Sequence, residues 1–333
     1  MKFASYPLVL AIAMSSSLGC QTNKTYEMEK ISMDSFAAGK NSVVFKSEGE
    51  TLKGNLYLPK NFKPGQKLAA VVVTGSWTSV KEQMAGAYAQ KLADQGYAAL
   101  AFDFRYFGES SGKPRQYESP LAKIQDIKNA VEFLKTIAVI DANRIGGLGI
   151  CASSGYMAEA TAEDSNIKSM ALVAPWFHNS ALVKAVYGGQ GAVDAKINSA
   201  KQAKVLFKET GGLTMVPAIS TTDKNAAMFG EFDYYLNPKR GAIPEWKNQF
   251  AVQSWEDWLK FDGVRIGSQI KTPTLIVHSE QAAIPQGAKE FYAKLRGKKE
   301  IVWMDGSQFD FYDREITITK ALALVVRHFE KSL

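Results

Sequence analysis

The chain has 333 residues, 46% hydrophobic and 22% charged, which is enough apolar material for a large core and too much for a disordered chain. Its formal net charge of +7 raises nucleic acid or an anionic membrane as partners, but the basic residues are spread along the sequence and form no stripe interleaved with aromatics. Nucleic-acid binding is therefore set aside, and the charge reads as ordinary surface charge.

The first segment differs from the rest. Lys2 precedes an apolar run from Tyr6 to Met14 and the small residues Ser15, Ser16 and Ser17, the pattern of a secretory signal over 1–19, too short to span a bilayer. The ending Leu18-Gly19-Cys20 is similar to a bacterial lipoprotein processing site, with Cys20 as the lipidated residue; Ser17 stands where Leu is usual, which leaves ordinary signal cleavage open. Residues 20–40 are polar and poorly periodic and read as a tether. The expected location is export to the periplasm, or the outer membrane of a bacterium, with a lipid on Cys20 as the only membrane contact. The chain has two cysteines, so lipidation of one leaves Cys151 without a disulfide partner in an oxidising compartment, and its thiol then needs a function or a well-buried site.

The body alternates strand and helix signals. Asn41 to Lys46 and Leu52 to Leu58 flank a polar turn and predict a hairpin, and the continuous apolar run Leu68 to Thr74 predicts a central parallel strand. A helix is expected from Val80 to Gln95, then a strand from Tyr97 to Phe104, then a helix with Ile124, Ile127, Val131 and Leu134 on one face. Arg144 to Ile150 reads as a short buried strand and Ala152 to Ala162 as a helix of small residues. Strands follow at Ile167 to Pro175, Pro273 to Val277 and Glu300 to Met304, with helices at Ala288 to Leu295 and Thr317 to Glu330. This is an α/β pattern: an eight-stranded, mostly parallel sheet flanked by helices, with ligands expected at the carboxyl ends of the strands. Residues 177–270 break the alternation and are too long for a connection, so they predict an inserted helical cap between two parts of the core, 41–176 and 271–333. Its aromatics would build either the cap's own core or the wall of a pocket.

Gly149-Ile150-Cys151-Ala152-Ser153 places a thiol where a strand turns sharply into a helix, the position of a nucleophile on a G-x-S-x-G elbow with Cys for Ser. The start of the following helix should favour the thiolate.

Taken with Thr74-Gly75-Ser76-Trp77 after the third strand and Phe102-Asp103-Phe104-Arg105-Tyr106-Phe107-Gly108-Glu109-Ser110 after the fourth, the chain from 41 to 333 resembles the α/β-hydrolase superfamily, and within it the bacterial branch similar to dienelactone hydrolases and to X-prolyl dipeptidyl peptidase catalytic domains. The resemblance implies Cys151 as nucleophile on an acyl carbonyl, with the oxyanion held by backbone N–H groups of Ala152 and of Ser76 or Trp77. Asp103 and Arg105 brace their loop. It implies an acid after the seventh strand and a histidine after the eighth, and there the chain departs from the pattern. Gln281 occupies the acid's position, with Glu280 beside it as a substitute, and Gln308 occupies the base's. Glutamine can orient a group but cannot act as a general base. Of the three histidines, His278 and His178 stand near strand ends and are the candidate replacements, and His328 belongs to the last helix. The expectation is a hydrolase of small ester, lactone, thioester or peptide-like acyl compounds; the alternative is a pseudoenzyme or small-molecule binding protein on the same scaffold. Neither a cofactor nor a metal cluster is expected. A small acyl compound is the expected partner, with Gln281, Gln308 and His178 beside its pocket.

Overall fold

The computed structural model describes residues 36–63 and 65–333, so the signal segment, Cys20 and most of the tether lie outside the described residues. Strands β1 (Gly39–Ser47) and β2 (Glu50–Leu58) form the expected antiparallel hairpin, turned by Glu48 and Gly49 at positive φ. Strand β3 (Leu68–Thr74) is buried at every position, as a run of Leu, Ala and Val demands when both faces are covered. With β4 (Ala98–Phe102), β5 (Ile140–Ile150), β6 (Ile167–Val173), β7 (Thr274–His278) and β8 (Lys299–Trp303) it makes one sheet in the order β1-β2-β4-β3-β5-β6-β7-β8. The pairs β1/β2 and β2/β4 are antiparallel and every later neighbour is parallel. This is the expected α/β-hydrolase architecture.

Helices α1 (Met84–Asp94), α2 (Pro120–Thr136) and α3 (Ser153–Glu163) are crossovers. The first begins four residues later than the apolar spacing predicts, for a polar reason. The Glu118 carboxylate accepts from Thr78 N–H at 3.1 Å, Asp103 accepts from Lys81 N–H at 2.8 Å, and the Gln83 side chain accepts from Val80 N–H at 3.0 Å. These bonds hold residues 78–83 as a loop and delay the helix to Met84. Asp103, fully buried, also pairs with the Lys81 ammonium at 2.9 Å and accepts from Glu109 N–H, and Arg105 pairs with buried Asp126, so both residues brace the loop after β4.

The insertion carries α4 (Ser180–Val186), α5 (Gln190–Thr210), α6 (Asp233–Leu236) and α7 (Ser254–Lys260). It is not purely helical. Met215–Val216 pairs with Phe250–Ala251, and Ile219–Ser220 pairs with Met228–Phe229, so two short strand pairs stand where a helical cap is expected. The chain then returns through α8 (Pro285–Lys294), α9 (Asp310–Asp313) and α10 (Glu315–Ser332).

Candidate active site

Strand β5 ends at Ile150 and α3 starts at Ser153, so Cys151 and Ala152 alone turn the chain. Cys151 has φ of 57°, a left-handed conformation that costs a residue with a Cβ on the order of 1–3 kcal/mol. Surrounding bonds hold it there. Its N–H donates to Val173 O at 3.1 Å, and its carbonyl accepts from Ser154 N–H at 3.0 Å and Trp176 N–H at 2.9 Å. Gly149 is required by the close return of the helix: a Cβ there would stand 2.9 Å from Ser154 Cα and 3.0 Å from Ser153 O. The Ser153 hydroxyl donates to Gly75 O and ties the helix start to the loop after β3.

Cys151 is 7% exposed as a residue and lines a cavity of about 350 Å³ at the carboxyl ends of the strands. Half of the wall comes from the insertion, including Tyr187, Phe232, Tyr235 and Trp258; the rest includes Trp77, Trp176, Phe309 and Tyr312. None of the described wall residues is charged. Other insertion aromatics serve packing: Trp255 packs at a tilt against Trp77 and Phe250, and Trp246 donates its indole N–H to Thr78 O.

Three donors lie around the cavity that Cys151 lines: the Tyr312 hydroxyl and the backbone N–H groups of Ala152 and Trp77. They favour the thiolate, but burial outweighs them and pushes the thiol above its ordinary value, with the negative charge of Glu118 adding to the rise. This corrects the expectation that the helix start alone would ionise Cys151. In the loop after β3 the expectation left Ser76 and Trp77 as alternatives, and their surroundings differ. Ser76 N–H points at Met84 Sδ, 3.4 Å away, and its hydroxyl pairs with Tyr235 Oη, so Trp77 supplies the loop's N–H at the sulfur.

Beneath this loop lies a buried ion pair that the sequence reading missed. Glu118 and Lys123 meet at 2.7 Å, the carboxylate also accepts from Tyr156 Oη and Thr78 N–H, and the ammonium sits over the rings of Phe104, Phe107 and Tyr156. Burial pushes the Lys123 ammonium down from its ordinary value, opposed by Glu118.

The groups expected after β7 and β8 divide sharply. Gln308 does border the cavity. Its Oε1 accepts from Ala283 N–H at 3.0 Å, and its Nε2 donates to Ala174 O at 2.9 Å and to Tyr312 Oη at 3.0 Å. Glu280 does not reach the cavity: its side chain is 59% exposed and paired with Lys289 at 2.7 Å. Gln281 also stays outside the wall, with its backbone N–H turned back to Ser279 Oγ. His278 is fully buried against Trp303, and neither ring nitrogen has a hydrogen-bond partner among the described residues. His178 lies one layer behind the wall, accepting from Trp176 Nε1 at 2.9 Å and meeting Trp258 O at 3.0 Å through Nε2. Burial lowers both rings to about 4, so each is neutral at neutral pH. His328, on the last helix, bonds Ser169 Oγ of β6. No imidazole is among the wall residues, and the structure brings Cys151, Ala152, Trp77 and Gln308 together with a group not foreseen, Tyr312.

The model of the X-Pro dipeptidyl-peptidase (S15) family matches residues 48–308. The uncharacterized protein PA2218 of Pseudomonas aeruginosa is 31% identical over 92% of this chain and 89% of its own length. The crystal structure of that protein superposes with a TM-score of 0.79 at 26% identity, covering 95% of this chain and 100% of its own. A thiohydrolase of Eupenicillium brefeldianum is 25% identical over 73% of this chain and 77% of its own. The α/β hydrolase GrgF from Penicillium sp. sh18 shares the fold with a TM-score of 0.72 at 18% identity, over 87% of this chain and 99% of its own. Because the family match runs through the sheet, the elbow and the insertion alike, the chain belongs to the X-Pro dipeptidyl-peptidase (S15) family and carries the α/β-hydrolase fold.

Proposed function

We propose that this protein is a thiol-dependent acyl hydrolase acting on small, uncharged acyl compounds with good leaving groups, thioesters and aryl esters before alkyl esters and peptides. The observation that carries this reading is the Cys151 sulfur on its strained turn, facing an aromatic cavity with the N–H groups of Ala152 and Trp77 directed at it. A carbonyl placed above that sulfur would develop its negative charge between two donors already in position. The cavity, at the small end of the ~300–1,000 Å³ range of ligand sites, suits an acyl group of modest size, and an uncharged wall offers nothing to a substrate carboxylate or ammonium.

Leaving-group chemistry narrows the class further. A thiol has a pKa of about 8.5, so a thiolate departs without an acid to protonate it, whereas an amine or alkoxide needs one. Gln308 at the base's position cannot supply that proton. The same lack makes deacylation the slow step, because water at the acyl-Cys151 carbonyl has no imidazole or carboxylate among the described wall residues to activate it. Export through the N-terminal segment is part of the proposal, and a small acyl compound is the partner it calls for. The thiohydrolase name of one relative agrees in reaction class.

One observation favours a second reading, a binding protein without turnover: Gln308 is locked by three hydrogen bonds where a base would stand. Incubation with S-phenyl thioacetate, followed by intact-mass and product measurements on the wild type, Cys151→Ser and Cys151→Ala, separates the two. The hydrolase reading expects acetylation at Cys151, slow repeated turnover, and loss of both in each variant. Wild-type protein that binds the compound but never acquires an acetyl group on Cys151 would establish the binder. The serine variant should lose about 100-fold or more, the range that a missing general base costs a hydroxyl nucleophile.

A further inference from the structure

Tyr312 is brought to Cys151 by the short helix α9, immediately after the position where the base is missing. Its hydrogen-bond direction follows from its neighbours. Ala283 N–H can only donate and Ala174 O can only accept, so the Gln308 amide has one orientation, with Oε1 toward Ala283 and Nε2 toward Ala174. The remaining Nε2 hydrogen then points at Tyr312 Oη, 3.0 Å away. A phenol oxygen that accepts from an amide N–H keeps its own proton for another partner, and Tyr312 shares the cavity wall with Cys151, whose thiolate it favours as a donor.

We propose that Tyr312, aimed by Gln308, fills the place of the absent imidazole as a catalytic hydrogen-bond donor to the Cys151 thiolate. This deepens the acyl-hydrolase reading and rests on it. The proton bookkeeping is simple. The thiol loses its proton to solvent, and the thiolate is held by the Tyr312 hydroxyl and the two backbone N–H groups. The sulfur lone pair forms the new C–S bond as the carbonyl pair moves onto oxygen. Collapse of that oxyanion breaks the substrate's C–S bond, and the departing thiolate takes a proton from solvent. Tyr312 never gives up its proton. Burial raises its phenol well above the ordinary value, as it does that of Tyr235. Of the other titratable groups near the sulfur, Tyr187 and Tyr235 share its cavity wall, whereas Tyr156 and Glu118 lie outside the wall, the last compensated by Lys123. Tyr235 has its hydroxyl paired to Ser76 Oγ and its ring 6.4 Å from that of Tyr312, so it packs beside the donor.

The test is the pH dependence of iodoacetamide alkylation at Cys151, followed by peptide mapping, in the wild type, Tyr312→Phe and Tyr235→Phe, with acetylation by S-phenyl thioacetate measured on the same samples and thermal unfolding confirming that each is folded. Tyr312→Phe should move the alkylation midpoint upward by about one pH unit or more, the scale of one hydrogen bond to an ionised group, and slow acetylation at neutral pH about tenfold. Tyr235→Phe should move it in the same direction by less. A folded Tyr312→Phe protein with the wild-type midpoint and acetylation rate overturns the assignment while leaving Cys151 as nucleophile. A wild type that alkylates but never acetylates instead overturns the hydrolase reading, and with it a catalytic role for Tyr312.

Discussion

The two walls of the cavity are built from different kinds of information. On the side of β3 and β5 the parts that face the cavity are backbone: a residue held at φ of 57°, two N–H groups, and a glycine at which a Cβ would stand within 3.0 Å of the returning helix. On the side of β7 and β8 the working parts of a triad are side chains, and there the chain has Gln308 facing the cavity and Glu280 turned to solvent. Side chains can be exchanged with little strain, whereas an elbow cannot lose its glycine without moving the helix behind it. The elbow wall is thus fixed by geometry, and on the opposite wall the described residues include neither an imidazole nor a carboxylate.

The largest effect that sharpens this contrast concerns the two buried histidines beside the cavity. Both His178 and His278 are lowered to about 4 by burial, against 6.5 in an unfolded chain. Between those values the unfolded state binds more protons than the folded one, so stability is fully present above pH 6.5 and is lost as pH falls toward 4. Each ring removes up to about 3 kcal/mol over that window. Urea unfolding midpoints measured from pH 7.5 to 4.5 should fall accordingly, and His278→Gln should flatten the profile. Acetylation of Cys151, by contrast, should show no inflection near pH 6.5. Such an inflection would put an imidazole in the chemistry and erase the distinction between the walls.

The same contrast explains what could be read without the structure. The strands from Leu68 to Thr74 and Arg144 to Ile150 were legible because burial on both faces demands continuous apolar or small residues, and the elbow because Gly149 and Ser153 record a close approach in residue type. The absence of a base at Gln308 was legible too. What could not be read was the contact made at a distance. Tyr312 lies in a four-residue helix near the end of the chain and meets Cys151 only after the sheet has folded, while Glu118 and Lys123 lie inside or beside an ordinary helix pattern, with nothing local to show that they form a buried pair under Thr78. Choosing between Ser76 and Trp77 also needed the Met84 sulfur, which takes the Ser76 N–H. Strand-end position made Glu280, His278 and His178 attractive, but it does not say which way a side chain turns.

A smaller effect tests the elbow wall directly. A Cβ at Gly149 would press on the backbone of Ser153 and Ser154, which has no flexible end to give way. Gly149→Ala should therefore destabilise the protein by about 1–3 kcal/mol, the usual range for overpacking a well-filled site. Because the same backbone aims the Cys151 sulfur, acetylation should fall more steeply than stability alone accounts for in protein that remains folded. Thermal unfolding and acetylation rates on one preparation check both parts, and a variant with wild-type melting and rate would mean that the turn has room the geometry denies.

The smallest effect belongs to the opposite wall. Glu280 is the nearest carboxylate in sequence to the acid's position, yet it is more than half exposed and engages Lys289 across the surface, outside the cavity. An exposed pair of this kind contributes little because water screens both charges and the long side chains lose freedom in meeting. Glu280→Gln should change stability by less than about 0.5 kcal/mol and leave acetylation and turnover at the wild-type rate. A clear loss of turnover with unchanged acetylation would show the carboxylate swinging inward to activate water for deacylation. The second wall would then hold a working acid after all, and its difference from the elbow side would be one of conformation instead of composition.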